Sequence, residues 1–474
     1  MSTVGMAMIV RDEAPVIERC LETFWDHVDQ VSIVDTGSKD DTVEKVRAFA
    51  EAKGETSKLK LTEFEWVDDF SAARTAADAQ LDTEWVAWID ADDLLTGGDK
   101  LRQVAAAADA HVAGFIAGYN YAQDQHGNCI CYLKRERLVR RGAGEWAGRV
   151  HEAKLIPGEL QELGSEIAEW VHRKEHDAAG SPRRNLRILN KWVKDEPDSP
   201  RVLGYLGTEY QVTGNHKKAI GYFKRYLKLK TGWDEERAQI HRKLSDSLIA
   251  LDRESEAVEV ALQALKVLPS WPDTYLCLAQ AYYKLGEPAK AEQWAQKAID
   301  LGRPDSMLIL NPLDYTFQPR FVRAAALGAL GRLTEAIALA DEALTILPDH
   351  ADLRNARERW RATIKRAQTA ETFVGCAELL IAHDEQLKAL DLLEGCVPHY
   401  CADHERIVQT RSFLRERLAF LKDDRYAERY ESQEIAPEQF VGDGELTGIC
   451  EQLPRCEVVL DSLTLRQEDS NACA

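Results

Sequence analysis

The stretch WVAWIDADDLL (residues 85–95) runs from an apolar segment straight into three carboxylates. Trp85, Val86, Trp88 and Ile89 are β-formers without polar alternation, the pattern of a strand buried on both faces. Asp90, Asp92 and Asp93 follow at its C-terminal end. Carboxylates gathered in such a place repel one another unless a cation or hydrogen-bond donors stabilise them. Two readings compete: a capped turn, with one aspartate bonding a following backbone N–H, or a cation site. The surrounding chain decides between them.

Upstream and downstream the pattern repeats. The β-like runs GMAMIV (5–10), QVSIVDT (30–36) and AGFIAGYNY (113–121) alternate with helical stretches such as APVIERCLETFWDHV (14–28) and DDTVEKVRAFAEA (40–52). Strand–helix alternation at this spacing predicts a mostly parallel, layered α/β sheet. In such sheets ligands bind outside the carboxyl ends of the strands. The polar residues gather there: Arg11-Asp12-Glu13 after the first strand, Asp35-Thr36-Gly37-Ser38 after the second, and the aspartates of 90–93 after a later one.

From residue 200 the periodicity becomes helical and repetitive. In PDTYLCLAQAYYKLGEPAKAEQWAQKAIDLG (272–302), Tyr275, Leu278, Ala279 and Tyr282 share one helical face, Gly286 breaks the helix, and Ala291, Ala295 and Ala298 line the next. Small residues where helices approach, with bulky ones between, are the spacing of a tetratricopeptide repeat. Ala257, Ala264 and Pro269 occupy the matching places one repeat earlier, and Gly207, Gly214, Ala219 and Phe223 those before them. Gly331, Ala336, Ala343 and Pro348 follow, and Ala377, Ala389 and Cys396 suggest a fifth, degenerate copy. The wide interval between Ala291 and Ala336 predicts an inserted loop around MLILNPLDYTFQP (307–319).

The 474 residues are 45% hydrophobic and 30% charged, a globular composition, with no apolar run long enough to span a bilayer. The opening MSTVGMAMIVRDEA has no basic n-region and reads as a strand, not a signal peptide. Ten cysteines without paired CxxC units fit a reducing, cytoplasmic location. The net charge of −20 is uneven: residues 1–180 carry 34 acidic and 20 basic side chains, 431–474 carry 10 and 2, and 181–430 carry 36 and 38. Two markedly basic segments, RRNLRILNKWVK (183–194) and HKKAIGYFKRYLKLK (216–230), lie in that middle region.

Seven segments together carry a resemblance. MIVRDEAPVIERCL (8–21), VDTGSKDDT (34–42), VDDFSAARTAA (67–77) and WIDADDLL (88–95), in that order, resemble the family 2 glycosyltransferases of the GT-A fold. EWAGRVHEAKL (145–155) and WVHRKEHD (170–177) followed by RRNLRIL (183–189) are similar to the subgroup whose catalytic domain precedes tetratricopeptide repeats, which includes the sublancin-type peptide S-glycosyltransferases and phage-encoded relatives. One position departs: the family's usual Ala-Arg-Asn reads Ala73-Arg74-Thr75 here.

The resemblance implies a GT-A-type, Rossmann-like α/β nucleotide-sugar domain followed by an all-α tetratricopeptide solenoid. Its boundaries are expected at 1–190 for the catalytic domain, 191–400 for the repeats and 401–430 for a terminal helix. An acidic, partly extended tail is expected at 431–474. A sugar nucleotide leaves as a diphosphate, and hard divalent cations that offset its charge take carboxylate ligands. The resemblance therefore implies Mn²⁺ or Mg²⁺ on Asp92, with His172 as a further metal or diphosphate ligand and Asp93 as a neighbour that tunes the site or caps a turn. It implies that Asp90 bonds the ribose, that Asp35 reads the nucleobase edge, and that the Val10–Arg11 backbone flanks the base. Ser71 is expected to cap the helix carrying Arg74, aiming that guanidinium at the nucleotide. Glu152 is the candidate general base, with Glu152 or His151 as an acceptor-orienting group. Trp146 reads either as a stacking platform or as core.

The implied function is an inverting glycosyltransferase that moves a hexose from a UDP-sugar to a peptide or protein side chain, the acceptor docking on or near the repeats. One alternative is transfer to hydroxymethylated bases of phage DNA, with the basic segment 183–243 tracking phosphates; the negative net charge opposes this. Another class is a non-catalytic repeat scaffold with a degenerate nucleotide-binding head. A homodimer contact through the repeats and no membrane association complete the expectations, with a host-cytoplasmic location for a phage-encoded chain.

Overall fold

In a computed structural model of the chain, residues 2–125, 127–173, 181–382 and 386–420 are described. The acidic segment 431–474, the part of the terminal-helix segment beyond Phe420 and residues 174–177 of WVHRKEHD lie outside them. The chain divides into two compact units, Met1–Leu330 with Thr345–Pro348, and Gly331–Leu344 with the residues from Asp349 on.

The first unit opens with a nine-stranded sheet in the order β3 (Leu59–Glu63), β2 (Gln30–Asp35), β1 (Val4–Val10), β4 (Trp85–Trp88), β7 (Cys129–Arg140), β6 (Val112–Gln123), β11 (Glu169–His172) and β5 (Asp93–Thr96), with β10 (Glu159–Leu163) paired to β6. Strands β1 (Val4–Val10), β2 (Gln30–Asp35), β3 (Leu59–Glu63) and β4 (Trp85–Trp88) are parallel. Helices α1 (Ile17–Glu22), α2 (Thr42–Ala52) and α3 (Phe70–Ala79) alternate with them, and α4 (Leu101–Ala107) follows β5 (Asp93–Thr96). β1, β2 and β4 are almost wholly buried, as their unbroken apolar runs require.

Beyond β4 the sheet turns mixed. β7 (Cys129–Arg140) runs antiparallel between β4 and β6 (Val112–Gln123). Its sequence, CICYLKRERLVR, hides a strand because charges interrupt the apolar pattern. Two of those charges are nevertheless buried: Glu136 is 4% and Arg137 0% exposed, the Arg137 guanidinium 3.7 Å from the Trp88 ring centroid and 4.3 Å from that of Tyr119. Aromatic faces and carboxylates replace the water these side chains lose. The hairpin β8 (Glu145–Ala147) and β9 (Ala153–Leu155), then β10 (Glu159–Leu163) and β11 (Glu169–His172), complete the sheet region.

Helices follow: α5 (Ser181–Asp195), α6 (Pro200–Val212), α7 (His216–Lys228), α8 (Asp234–Ile249), α9 (Glu254–Val267), α10 (Pro272–Lys284) and α11 (Pro288–Leu301). The predicted small residues do the predicted work. Ala219, Ala257 and Ala291 are fully buried, and a Cβ built on Gly207 would lie 2.3 Å from Phe223 of the paired helix. Gly214, Gly286 and Gly331 take left-handed φ values of 76°, 74° and 75° at the turns; Asp252, with φ 54°, holds the same place in the second repeat. The predicted insert forms α12 (Leu313–Thr316) before α13 (Gln318–Ala329). It also reaches the sheet: Leu310 and Tyr132 of β7 exchange two backbone hydrogen bonds of 2.8 Å.

The second unit holds α14 (Leu333–Ile346, which ends in the 345–348 segment), the 32-residue α15 (Ala351–Ala382), α16 (Gln386–Asp391) and α17 (Glu405–Phe420). Ala377 and Ala389 are buried in one apolar cluster there. Among the described residues no helix is long and apolar enough to cross a membrane.

Candidate active site

The parallel strands deliver their polar ends to one edge, as the topology requires. The chain leaves β4 at Ile89, turns through Asp90–Asp92 and re-enters the sheet at Asp93, the first residue of β5. β5 pairs antiparallel with β11 in a register that sets Asp93 opposite His172. A carboxylate and an imidazole about 80 residues apart thus become a cross-strand pair.

Asp93 is fully buried. Its Oδ1 accepts from the Tyr119 hydroxyl at 2.6 Å and lies 3.2 Å from His172 Nδ1, and its Oδ2 is 3.6 Å from Arg137 Nη2. Burial pushes the Asp93 carboxyl up, against the pull of His172 and Arg137. His172 Nδ1 is also 3.4 Å from Asp92 Oδ1, and the ring stacks on Tyr121 with centroids 4.9 Å apart. Burial works against the charged imidazole, but hydrogen bonds to Asp92 and Asp93 outweigh it and raise its pKa to about 10. Ligand atoms of Asp92, Asp93 and His172 all lie within 4.8 Å of one another. A mixed carboxylate–imidazole donor set so close fits a divalent ion such as Mn²⁺ or Mg²⁺, with Asp93 the most committed of the three.

Arg74 turns inward. Its Nη2 donates to Asp90 Oδ1 and its Nε to Glu152 Oε1, both at 2.6 Å, while the guanidinium lies 4.5 Å from Trp88 and 5.2 Å from Trp146. Burial opposes its charge, but the two carboxylates more than offset this and drive the guanidinium pKa up; Asp90 is half-buried, which pushes its carboxyl up, but Arg74 above all holds it below the ordinary carboxylate range. Trp146 belongs to the core, edge-on to Trp88 at 5.2 Å with its Nε1 donating to Asp78. The cap of α3 is Asp69, whose Oδ1 accepts from Ala72 N at 3.1 Å; Ser71 sits inside the first turn and donates to Asp69 instead. The carboxylate one residue before the helix outcompetes the hydroxyl two residues on. Thr75 is exposed and donates to Ser71 O, a helix back-bond that takes it out of the site.

At the neighbouring strand ends, Asp35 accepts from Ser38 N, Gly37 N and Ser38 Oγ, closing an Asx-type turn. The Val10 carbonyl accepts from both Thr36 N and Thr36 Oγ1, and Arg11 is exposed beside Asp12. His151 has a left-handed φ of 54°, its Nε2 2.9 Å from Glu209 Oε1 of α6 and its ring stacked on Tyr205.

Two participants had escaped the candidate set. Glu13 rises to about pKa 7 through burial first and then through Asp92, Asp90 and Asp40, so it faces the same cluster. Arg137 stands behind Asp93. Glu13 carried a signal, its place at a strand end; Arg137 carried none, because β7 did not read as a strand.

The class is that of an open α/β sheet whose strand ends gather acidic residues around an imidazole, at the edge where such folds place their ligand sites. The comparisons with known proteins narrow it. Residues 6–151 match the model of glycosyl transferase family 2, and residues 273–303 match a tetratricopeptide repeat. The chain carries a family 2 glycosyltransferase domain followed by tetratricopeptide repeats, and its activity class is glycosyl transfer. It is 28% identical over 321 residues to a TPR repeat-containing protein of Synechococcus elongatus, covering 63% of this chain and 75% of the relative. It is 24% identical over 233 residues to the SPbeta prophage-derived glycosyltransferase SunS of Bacillus subtilis, covering 48% of this chain and 53% of that protein. Among solved structures, MamA aligns at 21% identity over 37% of this chain and 93% of its own, with a TM-score of 0.30.

Proposed function

We propose that the chain is an inverting glycosyltransferase that moves a hexose from a UDP-sugar to a side chain of a peptide or protein. The observation that carries this reading is the excess of carboxylates over cations at the strand ends, with Asp92, Asp93 and His172 gathered within 4.8 Å. Asp92 and His172 would hold a divalent ion, backed by Asp93; when bound, it offsets the charge of the departing diphosphate.

The chain's own residues divide the remaining work. Asp35 and the Val10–Arg11 backbone would flank the base, where Asp35 also holds its turn rigid. Asp90, fixed by Arg74, would accept from the ribose. Arg74 also holds Glu152 by Oε1, leaving Oε2 for the acceptor's proton. As the acceptor atom bonds to the anomeric carbon, the sugar–phosphate C–O bond breaks, UDP leaves with the electron pair, and Glu152 takes the proton. The ring of His151 is engaged by Glu209 and Tyr205, so the proton is assigned to Glu152 rather than to His151.

A peptide or protein acceptor is favoured over DNA by where the basic side chains go. Arg187 pairs with Asp68, Arg201 donates to the His151 carbonyl, Arg225 to the Pro197 carbonyl, and Arg242 sits among three aspartates. Charges committed in this way do not track a phosphate backbone. The test is a panel of UDP-sugars incubated with and without Mn²⁺, read as UDP release, then intact-mass analysis of candidate peptides. Metal-dependent release from at least one UDP-hexose and a hexose mass shift on a peptide support the reading; release that ignores the metal, or a shift on DNA alone, overturns it.

A further inference from the structure

One face of the first repeat helix grips the segment that carries Glu152. Arg201, Tyr205 and Glu209 are spaced four apart on α6 and so form a single stripe. Arg201 Nη2 donates to the His151 carbonyl. Glu209 Oε1 lies 2.9 Å from His151 Nε2 and also accepts from Asn185 Nδ2 of α5 at 3.1 Å. Tyr205 stacks on the His151 ring, centroids 4.4 Å apart and planes 20° apart.

These contacts converge on a residue in an unfavourable conformation. His151 has φ 54°, in the left-handed region that residues with a Cβ adopt uncommonly, histidine more readily than most. Such outliers persist where surrounding contacts over-determine them. The next residue is Glu152, whose carboxylate is held by Arg74 at 2.6 Å and whose carbonyl accepts from Arg135 at 2.8 Å. Relaxation of His151 toward negative φ would rotate the chain immediately before Glu152 and so would pull its carboxylate away from Arg74.

We infer that Arg201, Tyr205 and Glu209 are positioning residues for transfer: the repeat helix holds His151 in its left-handed conformation and thereby sets the Glu152 carboxylate. The first repeat is then part of the catalytic apparatus as well as any docking surface. This rests on the glycosyltransferase reading above, with Glu152 as the proton acceptor.

The experiment uses the full chain with Arg201→Met, Glu209→Ala and the conservative Glu209→Gln, measuring UDP-hexose hydrolysis and, by calorimetry, the affinity for UDP with Mn²⁺. Misplacing a reacting group by a fraction of an ångström to an ångström costs turnover steeply, so the first two variants are expected to lose roughly tenfold to a hundredfold in kcat. Their UDP–Mn²⁺ affinity should stay within about twofold of the parent's, because the nucleotide contacts are untouched. Glu209→Gln keeps an oxygen acceptor for Asn185 and His151 and should retain most of the turnover. Parent-like kcat in Arg201→Met and Glu209→Ala overturns the inference, and so does a parallel loss of nucleotide affinity and turnover, which marks a purely structural contact. A parent chain that neither binds UDP–Mn²⁺ nor hydrolyses any UDP-hexose overturns the underlying reading instead.

Discussion

Two clusters of carboxylates among the described residues differ in what completes them. In the repeats, Asp246, Asp273 and Asp314 surround Arg242 at 3.3, 3.4 and 2.7 Å. Tyr315 donates to Asp273 at 2.7 Å and the Cys277 thiol to Asp246 at 3.2 Å, so each carboxylate has a partner from the chain itself. At the strand ends, Arg74 and Arg137 serve Asp90, Glu152 and Asp93, while Asp92 has the edge of one imidazole. Glu13 has no donor on its carboxylate among the described residues and is pushed up to about 7, burial first and the neighbouring aspartates next. A cluster that closes on its own cation is a structural rivet. One left short of positive charge has room for a cation from outside.

The largest expected effect breaks the closed cluster. Arg242→Met leaves three carboxylates around an apolar side chain; because Arg242 keeps 23% of its side-chain surface exposed, the cost sits at the low end for a broken buried pair, about 3 kcal/mol. Urea denaturation measures it, and a loss below about 1 kcal/mol would make the cluster an ordinary surface network. Glu152→Gln tests the open cluster from its acceptor side. Hydrolysis and transfer should fall by on the order of 10²-fold or more while UDP–Mn²⁺ affinity holds; equal loss of both would move Glu152 from proton transfer to nucleotide binding.

Smaller effects sharpen the contrast within the repeats. His241, beside Arg242, is lowered from 6.5 to about 4 by burial and then by Arg237, and its Nδ1 has no partner among the described residues. A histidine depressed in the fold is neutral there and takes up a proton on unfolding, so its stability contribution is complete above about pH 6.5 and is lost as pH falls toward 4. His241→Gln should flatten this acid arm in denaturation curves taken from pH 7 to 4; an unchanged arm would place the acid sensitivity elsewhere. The smallest effect concerns Asp252, left-handed at φ 54° where the other repeats use glycine. Asp252→Gly should stabilise by up to about 1 kcal/mol, read as a raised denaturation midpoint; a lowered midpoint would show that the entropy glycine adds to the unfolded chain outweighs the relieved backbone.

The sequence made the parallel half of the sheet and the repeats legible for physical reasons. β1, β2 and β4 are buried on both faces and so read as unbroken apolar runs, and the repeats show as small residues at fixed intervals because a Cβ at Gly207 has nowhere to go. The antiparallel β7 stayed hidden, since Arg135 and the buried Arg137 are covered by Trp88 and Arg137 is paired with Asp93, partners that lie far away along the chain. Within the site, the strand-end aspartates stood out by position, and family resemblance added His172. The pairing of His172 with Asp93 depends on the β5–β11 register, which four-residue strands do not announce. The inward turn of Arg74 and the grip of α6 on His151 are tertiary facts with no local signature.

The central claim, that the strand-end cluster is completed by a divalent cation at Asp92, is tested most directly by calorimetric titration of UDP with Mn²⁺ into the parent chain and Asp92→Asn. The substitution removes a charge with little change in volume, so the metal-dependent part of UDP binding should be lost and UDP-hexose turnover should fall by on the order of 10²-fold. Fold stability without metal should hold or rise, because a crowded acidic cluster loses one charge. If Asp92→Asn binds UDP–Mn²⁺ as tightly as the parent, the aspartates after β4 are a capped turn and the account of the open cluster is wrong.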